Sequence, residues 1–281
     1  MNCGCPGTSM NRAWHSQAHQ DETVASFLQG ARDGYFVDLA ASSPTLYSNS
    51  RALEEQYGWR GVCIDALDHS RILFASSNRS CTFVQALVGD EGGRRVLFRQ
   101  IIGGHARGGK LYMLSGIVEN STQPTCWANG RFCLSIEQLM ARGARLDHRL
   151  MLVRTLDEIL RTVGAPSTVD YLSLDVEGFE TAALRGLGTD FAVRVLSVER
   201  PDSDAKRLLR ARGMRRVCEE RMVADMDEMY ALPDVKGPCR TFLPLEWLYN
   251  ATRRARVARP HIPSHHDTSS GDRRRNSQKE K

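Results

Sequence analysis

The sequence predicts an α/β protein with a mostly parallel, twisted sheet, helices on both faces of the sheet and an antiparallel edge. Short apolar runs, each typical of a strand buried on both faces, alternate with segments whose apolar residues recur every three or four positions. Such strand–helix–strand repeats join parallel strands. A length of 281 residues with 41% hydrophobic content is enough for one such core, and one domain with tails is the simplest organisation.

The first half of the chain contains three predicted strands, at 35–40, 61–65 and 82–88. A short helix near 23–29 is predicted before the first strand. A second helix follows Asn49 or Ser50 and ends at Gly58, and a weaker one lies near 69–77.

The regular pattern breaks from about 94 to 150, where we predict an irregular insertion over the sheet edge. Regular elements then return as a helix at 155–163, a strand at 169–174, a helix at 179–187, a strand at 193–198 and a helix that begins near Pro201 and ends at Gly213. Residues 214–219 and 228–232 are predicted to pair as the antiparallel edge.

The charge distribution divides the chain into a leader at 1–20, a domain at 21–249 and a basic tail at 250–281. The tail holds nine Lys/Arg against three Asp/Glu, a net +6, so the preceding 249 residues carry −1 of the total +5. Because the tail is also poor in apolar residues, a solvated disordered end explains it better than a nucleic-acid-binding surface. We therefore expect no nucleic-acid partner.

The cysteine pattern predicts reduced thiols. No two of the eight cysteines form a CxxC pair, and Cys63 lies in an apolar strand as expected of a small buried hydrophobe. The first thirty residues contain no apolar run of signal-peptide length, and no stretch is long enough to cross a membrane. A cytoplasmic location follows as the default, and Asn-X-Ser/Thr patterns such as Asn120-Ser121-Thr122 are expected to be chance matches.

Acidic residues occur at the ends of the predicted strands, where an open parallel sheet binds its ligands. Asp38 lies near the end of the first strand, and Asp65, Asp175 and Glu199 end later ones. A carboxylate in the position of Asp65 can accept both hydrogen bonds from a ribose diol, but it can equally start a turn or cap a helix. For Glu199, orienting a substrate and pairing with an arginine both stay open.

Four segments together resemble the FkbM family of methyltransferases, in particular a eukaryotic branch that has lost the glycines of its first loop. They are YFVDLAA at 35–41, SNS at 48–50 with YGWRGVCID at 57–65, RTLD at 154–157 and DYLSLDVEGFE at 170–180, and the likeness continues through 195–200. Each segment is a weak signal alone, but their order and spacing are specific.

The resemblance implies a Rossmann-like class I methyltransferase fold, S-adenosylmethionine as the methyl donor, and an acceptor hydroxyl on a sugar, lipid or small metabolite. It implies a donor site formed by Asp38, Ala40, Ala41, Asn49, Asp65 and Leu87, in which Asp38, Ala40 and Ala41 lie at the methionine end and Asp65 holds the ribose. Asp175 and Glu177 are the candidate catalytic residues, because deprotonating a hydroxyl requires a base within hydrogen-bond reach. No metal is expected.

The first loop departs from the family pattern, since it is AASSP at 40–44 where family members commonly have Gly and Asn. A binding or scaffold protein that has lost catalysis is therefore an alternative. A nicotinamide or nucleotide-sugar enzyme is disfavoured because no GxGxxG follows the first strand. The segment GHARGGK at 104–110 is nearly a phosphate-binding loop, but Leu111 stands where Ser or Thr must follow.

Overall fold

The computed structural model describes residues 13–106, 109–127, 130, 132–219 and 227–239, all of which belong to one compact unit of residues 1–241. The predicted tail at 250–281 and the first twelve residues of the predicted leader lie outside the described residues. Among the described residues, no helix has the length and apolar character that crossing a membrane requires.

The first half of the fold alternates helices and strands, close to the sequence expectation. Its elements are α1 (Gln20–Phe27), β1 (Tyr35–Leu39), α2 (Arg51–Tyr57), β2 (Arg60–Asp65), α3 (Asp68–Ala75), β3 (Thr82–Gln85) and β4 (Leu87–Val88). The predicted end of α2 is confirmed, since Gly58 adopts a left-handed φ of 71° there. The predicted strand at 82–88 is divided into β3 and β4, which belong to different sheets.

The middle of the chain folds into short strands around one long antiparallel pair. Its elements are β5 (Arg95–Gly103), β6 (His105–Ala106), β7 (Gly109–Lys110), a 3-10 turn (Leu111–Leu114), β8 (Gly116–Ile117), β9 (Thr125–Trp127), β10 (Phe132–Leu134), α4 (Ile136–Ala141) and β11 (Ala144–Arg154). The last part returns to alternation with α5 (Leu156–Thr162), β12 (Thr168–Leu174), α6 (Glu180–Arg185), β13 (Ala192–Glu199), α7 (Ser203–Ala211), β14 (Arg215–Val217) and β15 (Asp227–Ala231).

The main sheet has seven strands in the order β14-β15-β13-β12-β1-β2-β3. Strands β3, β2, β1, β12 and β13 are parallel, whereas β15 is antiparallel to both β13 and β14, as the sequence predicted for this edge. The chain moves outward in one direction from β1 and in the other from β12. The strand order therefore reverses between β1 and β12, which is where open α/β sheets bind ligands.

Helices cover both faces of this sheet. One core packs sheet residues such as Leu172 against Leu156 and Leu160 of α5 and Leu209 of α7. The other packs the opposite face against α1, α2 and α3, with Trp59 among its fully buried residues. Helix α5 has a local reason to begin where it does, because Thr155 and Glu158 form a reciprocal capping box.

The segment at 94–150 differs from the irregular insertion that we predicted. Strands β5 and β11 pair over nine residues, from Ala144 opposite Gly103 to Leu152 opposite Arg95, and form a second sheet in the order β4-β11-β5-β8. The pattern was missed because this pairing is non-local and the sheet is half exposed. Leu150 and Leu152 face outward with 68% and 56% of their surface exposed, which obscures the alternation of apolar and polar residues.

The expectation of reduced thiols is wrong for the described cysteines. Three disulfides join Cys63 to Cys81, Cys126 to Cys133 and Cys218 to Cys239. Cys63 is fully buried as predicted, but it is a cross-link between β2 and the start of β3 and not a free hydrophobe. Because disulfides are rare in reducing compartments, these three bonds do not fit the reduced thiols that accompanied the cytoplasmic prediction.

The described part of the predicted leader, at 13–19, is attached to the domain. The buried carboxylate of Asp21 accepts hydrogen bonds from the Ser16 hydroxyl at 2.5 Å and from the backbone NH of His15 at 2.7 Å. Ser16 also forms an isolated parallel bridge with Tyr47 in the loop after β1. No periodicity marks this segment in the sequence, because it is held by the contacts of single residues and carries no apolar stripe.

Candidate active site

A cleft opens at the carboxyl ends of β1, β2 and β12. Asp65 and Asp175 both line it, although they lie at the ends of strands on opposite sides of β1. Its volume is about 810 Å³ with the open mouth included. A smaller polar extension shares Leu39, Ala40 and Asp175 with it and reaches toward α1. Asp65 and Asp175 therefore meet around one cleft, as the sequence predicted.

Asp65 is buried at the end of β2, and both of its carboxylate oxygens have backbone partners. Oδ2 accepts a hydrogen bond from the Ser42 NH at 2.8 Å, and Oδ1 accepts one from the Leu67 NH at 2.8 Å. Burial raises the pKa of Asp65, and these two backbone donors oppose that rise. Asp65 therefore fixes the loop after β1 against the end of β2, in addition to facing the cleft.

Asp38 is buried in β1 and is held by a chain of hydrogen bonds. Its Oδ2 accepts one from the Ser50 hydroxyl at 2.5 Å, and Ser50 in turn accepts one from Arg79 at 2.9 Å. Burial raises the pKa of Asp38, whereas the Ser50 hydrogen bond and the Arg79 charge act in the opposite direction. Asp38 lines the polar extension of the cleft.

Arg79 braces the loop after β1. Its side chain is only 4% exposed and donates to the Pro44 carbonyl and the Ser48 hydroxyl, both at 3.0 Å, and to Glu54 at 2.9 Å. With the bond to Ser50, one guanidinium therefore connects three points of a loop that lacks glycine to Glu54 of α2. Arg79 was not predicted as a site residue, and it acts through the residues that it positions.

The first loop holds non-glycine residues in left-handed backbone conformations. The φ angles of Ala40 and Ser42 are 62° and 49°. Glu177, after β12, and Arg200, after β13, are also left-handed, at 51° and 42°. Such conformations cost roughly 1–2 kcal/mol each outside glycine and concentrate where a surrounding structure imposes them, often at ligand sites.

The remaining predicted donor-site residues lie around the same cleft. Ala40 and Ala41 line its polar extension, as does Asn49, whose Nδ2 donates to the Ser173 hydroxyl at 2.9 Å. Among the described residues, Asn49 Oδ1 is buried and has no hydrogen-bond partner. Leu87 lines the opposite, apolar end with Phe98 and other residues of the second sheet. The insertion thus supplies one wall of the cleft.

Asp175 and Glu177 lie in the turn that follows β12. Glu180 accepts hydrogen bonds from the backbone NH groups of Val176 at 3.2 Å and Gly178 at 3.0 Å, so it has the structural role expected of an acidic residue in the first turn of a helix. Burial and the neighbouring charges of Glu199 and Glu180 hold the pKa of Asp175 well above its usual range.

Glu199 and Asp227 extend this group beyond the predicted residues. Carboxylate oxygens of Asp175, Glu177 and Glu199 lie within 4.8 Å of one another, close enough to share a cation. Glu199 is also paired with Arg200. Burial raises the pKa of Glu199 to about 7, and burial with the Asp175 charge raises that of Asp227 to about 7. Like charges this close favour retention of a proton within the group.

A sequence signal for Asp227 existed, but the predicted strand at 228–232 began one residue too late to include it. Because β15 runs antiparallel to β13, its first residue lies at the edge where the parallel strands end, and Asp227 pairs with Glu199 in register. Gln20 donates a hydrogen bond to the Asp227 carboxylate from the first residue of α1. No local pattern relates these two residues, which are 207 positions apart.

Comparison with known protein families identifies the family of the chain. A model of the methyltransferase FkbM domain matches residues 30–208. The chain belongs to the FkbM methyltransferase family. The match contains β1, β2, β12 and β13, and with them every predicted donor-site and catalytic residue of this FkbM protein. No curated protein matches the chain. The segment before residue 30 and the edge strands β14 and β15 lie outside the family match.

Proposed function

We propose that this FkbM protein transfers a methyl group from S-adenosylmethionine to a hydroxyl oxygen, on a Rossmann-like class I methyltransferase scaffold. The observation that carries the proposal is that Asp65 and Asp175, from strands on opposite sides of β1, line one cleft at the reversal of strand order. The scaffold assignment is supported by the five parallel strands and the antiparallel β15 beside β13.

The nucleoside half of the donor fits the larger part of the cleft. Each carboxylate oxygen of Asp65 accepts one backbone hydrogen bond and keeps a second acceptor direction, which is enough for a ribose diol. Beyond Asp65, Ala86, Leu87 and Val88 provide an apolar surface of the kind that an adenine ring requires.

The methionine half fits the inner part of the polar extension, at the buried Asp38 and at Asn49, and leaves the exposed rim at Gln17 open. The unpartnered Oδ1 of Asn49 is an acceptor for the donor's ammonium group, and the nearby Asp38 carboxylate adds a complementary charge. Ala40 and Ala41 have small side chains, which allow the backbone of the loop to approach a ligand. The described residues that line the cleft include four carboxylates and no lysine or arginine, which suits a donor with a sulfonium charge.

The bound donor supplies a methyl group already activated on sulfur. The protein's contribution is to align the acceptor oxygen and to remove its proton. Asp175 faces the cleft and its carboxylate lies within 4.8 Å of that of Glu199, so in its ionised form this pair accepts the proton from the acceptor hydroxyl. Glu177, which also lines the cleft, helps to orient the hydroxyl.

Titration calorimetry with S-adenosylmethionine tests the proposal. Asp65→Asn removes the charge but keeps the volume, and we expect donor affinity to fall by about tenfold or more, as expected when charge-assisted hydrogen bonds are lost. Asp170→Asn is the matched control. Asp170 also accepts a backbone hydrogen bond, from Tyr35 at 2.9 Å, but it lies at the opposite end of β12 and does not line the cleft.

The Asp170→Asn variant is expected to lose stability without losing donor affinity. Equal affinity for the donor in wild-type protein and Asp65→Asn contradicts the ribose role. The absence of any binding heat from folded wild-type protein contradicts the enzyme proposal and favours a non-catalytic binding protein.

A further inference from the structure

A segment that precedes the family match contributes to the cleft. Gln17 and Gln20 line the polar extension beside Asp38, Tyr47 and Asp175. The segment that carries them is fixed, since Asp21 is fully buried and accepts hydrogen bonds from the backbone and hydroxyl of Ser16.

Gln20 connects this segment to the carboxylate group. Its Oε1 accepts a hydrogen bond from the Ala18 NH at 2.9 Å, while its Nε2 donates to Asp227. Both Gln20 and Asp227 are buried, and Asp227 pairs in register with Glu199. The N-terminal segment therefore closes the polar side of the cleft, next to the residues proposed to activate the acceptor.

Gln17 differs from Gln20 in its exposure. It is exposed at the rim of the extension, and no hydrogen bond joins its side chain to another described residue. Its amide offers two donors and an acceptor with two lone pairs. This group is available to a ligand without the loss of any contact within the described protein.

The charged residues that line the cleft and its extension disfavour the binding of an anionic acceptor. Among the described residues that line the cleft and its extension, Asp38, Asp65, Asp175 and Glu177 are acidic and none is lysine or arginine. An acceptor with a phosphate or carboxylate near its reactive hydroxyl would meet like charge and no cationic partner. The amide of Gln17 and the phenol of Tyr47, in contrast, can each donate a hydrogen bond to an uncharged hydroxyl or accept one from it.

We propose that the N-terminal segment 13–20 forms the acceptor wall, that Gln17 contacts the acceptor, and that the acceptor is an uncharged polyhydroxyl compound. The inference rests on the proposed methyl transfer and assigns the selection of the acceptor to residues outside the family domain. Gln17 is a specificity residue in this assignment, whereas Gln20 positions the wall.

The experiment uses the full chain with S-adenosylmethionine and paired acceptors: methyl glycosides of common hexoses, and the same hexoses carrying a 6-phosphate. Methylated product is measured by mass spectrometry. We expect kcat/KM to be at least about tenfold higher for the uncharged member of each pair, the effect of roughly one unscreened contact between like charges. Gln17→Ala should raise the KM for the acceptor about fivefold or more and leave the donor Kd unchanged.

Gln29→Ala is the matched control, since Gln29 is an exposed glutamine that follows α1 and bonds to the Lys236 carbonyl, away from the cleft. Preference for phosphorylated acceptors, or an acceptor KM unaltered in Gln17→Ala, overturns the inference. Donor binding without methylation of any uncharged polyol also overturns it while the donor site stands. If the folded protein does not bind the donor, the proposed function itself is contradicted.

Discussion

Arg79 donates a hydrogen bond of 2.9 Å to Ser50, whose hydroxyl is in turn bound to the carboxylate of Asp38. The same guanidinium contacts Pro44 and Ser48, so the loop after β1 depends on a side chain from the connection between α3 and β3. Arginine reaches all of these acceptors because its donors are spread over a rigid plane, which a lysine ammonium cannot reproduce.

Arg79→Lys should therefore lower both stability and donor affinity. We expect the free energy of unfolding to fall by roughly 1–3 kcal/mol, because buried acceptors lose their partner. Urea unfolding measures the first effect, and calorimetric titration of the folded variant with S-adenosylmethionine measures the second. Arg71→Lys, at an exposed position of α3, is the control and should change neither. A variant with normal donor affinity would show that Arg79 does not position the donor loop.

Local signals in the sequence explain why much of the fold was predictable. Gly58 ends α2, the capping box at Thr155 begins α5, and short apolar runs mark β1, β2, β12 and β13. Parallel strands end at a common edge, so the sequence alone predicts that Asp65 and Asp175 lie at one cleft.

The missed features depend on contacts between distant parts of the chain. The pairing of β5 with β11 joins residues about fifty positions apart and leaves one face exposed, so it has no clear local period. Asp227 lies at the site because β15 runs antiparallel to β13, which places its first residue opposite Glu199. Gln20 lies there because α1 begins beside Asp227. The disulfides were missed because cysteine spacing does not determine pairing.

The disulfides make a direct chemical prediction. Protein purified without reductant and then unfolded should react with a thiol-alkylating reagent at Cys3 and Cys5 at most, because the other six cysteines are paired. After reduction, all eight should react. Peptide mass spectrometry identifies the labelled positions, and labelling of Cys63 or Cys81 before reduction would contradict the pairing.

Loss of the cross-link between β2 and β3 should destabilise the main sheet. We expect Cys81→Ser to lower the free energy of unfolding by about 2–4 kcal/mol, since the bond closes a sequence separation of 18 residues. Cys133→Ser is the comparison. It opens a separation of 7 residues within the insertion, so its effect should be smaller. Urea unfolding of both variants under oxidising conditions decides the order.

The Asp175–Glu199 pair predicts a rate of methyl transfer that increases with pH. Burial raises the pKa of Glu199 to about 7 and that of Asp175 well above its usual range, while Arg200 opposes both shifts. Glu177, Glu180 and Asp227 add negative charge around the pair. The base is therefore protonated in acid, and the rate rises as the pair ionises.

Glu199→Gln should move this pH profile. The substitution removes the charge that favours the protonated form of Asp175, so the apparent pKa of the rate should fall by about one unit or more. Single-turnover rates measured with saturating donor and acceptor across the pH range give the profile. Glu228→Gln, which alters a carboxylate bound to Lys206 and Tyr230 outside the cleft, should leave it in place. An unchanged pH profile in Glu199→Gln would show that Glu199 does not affect the ionisation of the base.

The raised pKa of Asp227 should make the stability of the protein depend on pH. Its pKa is raised from the ordinary value of 3.8 to about 7 by burial and by the charge of Asp175, so the folded protein holds a proton that the unfolded chain releases. The stability from this group is complete below the unfolded pKa, is lost as pH rises from about 4 to about 7, and changes no further above that. A shift of this size corresponds to roughly 4 kcal/mol. Asp227→Asn keeps an acceptor for Gln20 but cannot ionise, so its free energy of unfolding should fall less than that of wild type between about pH 4 and pH 7.

Urea unfolding at several pH values gives the dependence of the unfolding free energy on pH for both proteins. Asp234→Asn, at an exposed position after β15, should retain the wild-type slope. Equal slopes in Asp227→Asn and wild type would mean that Asp227 is ionised in the folded protein throughout this range, which would contradict its burial against Asp175.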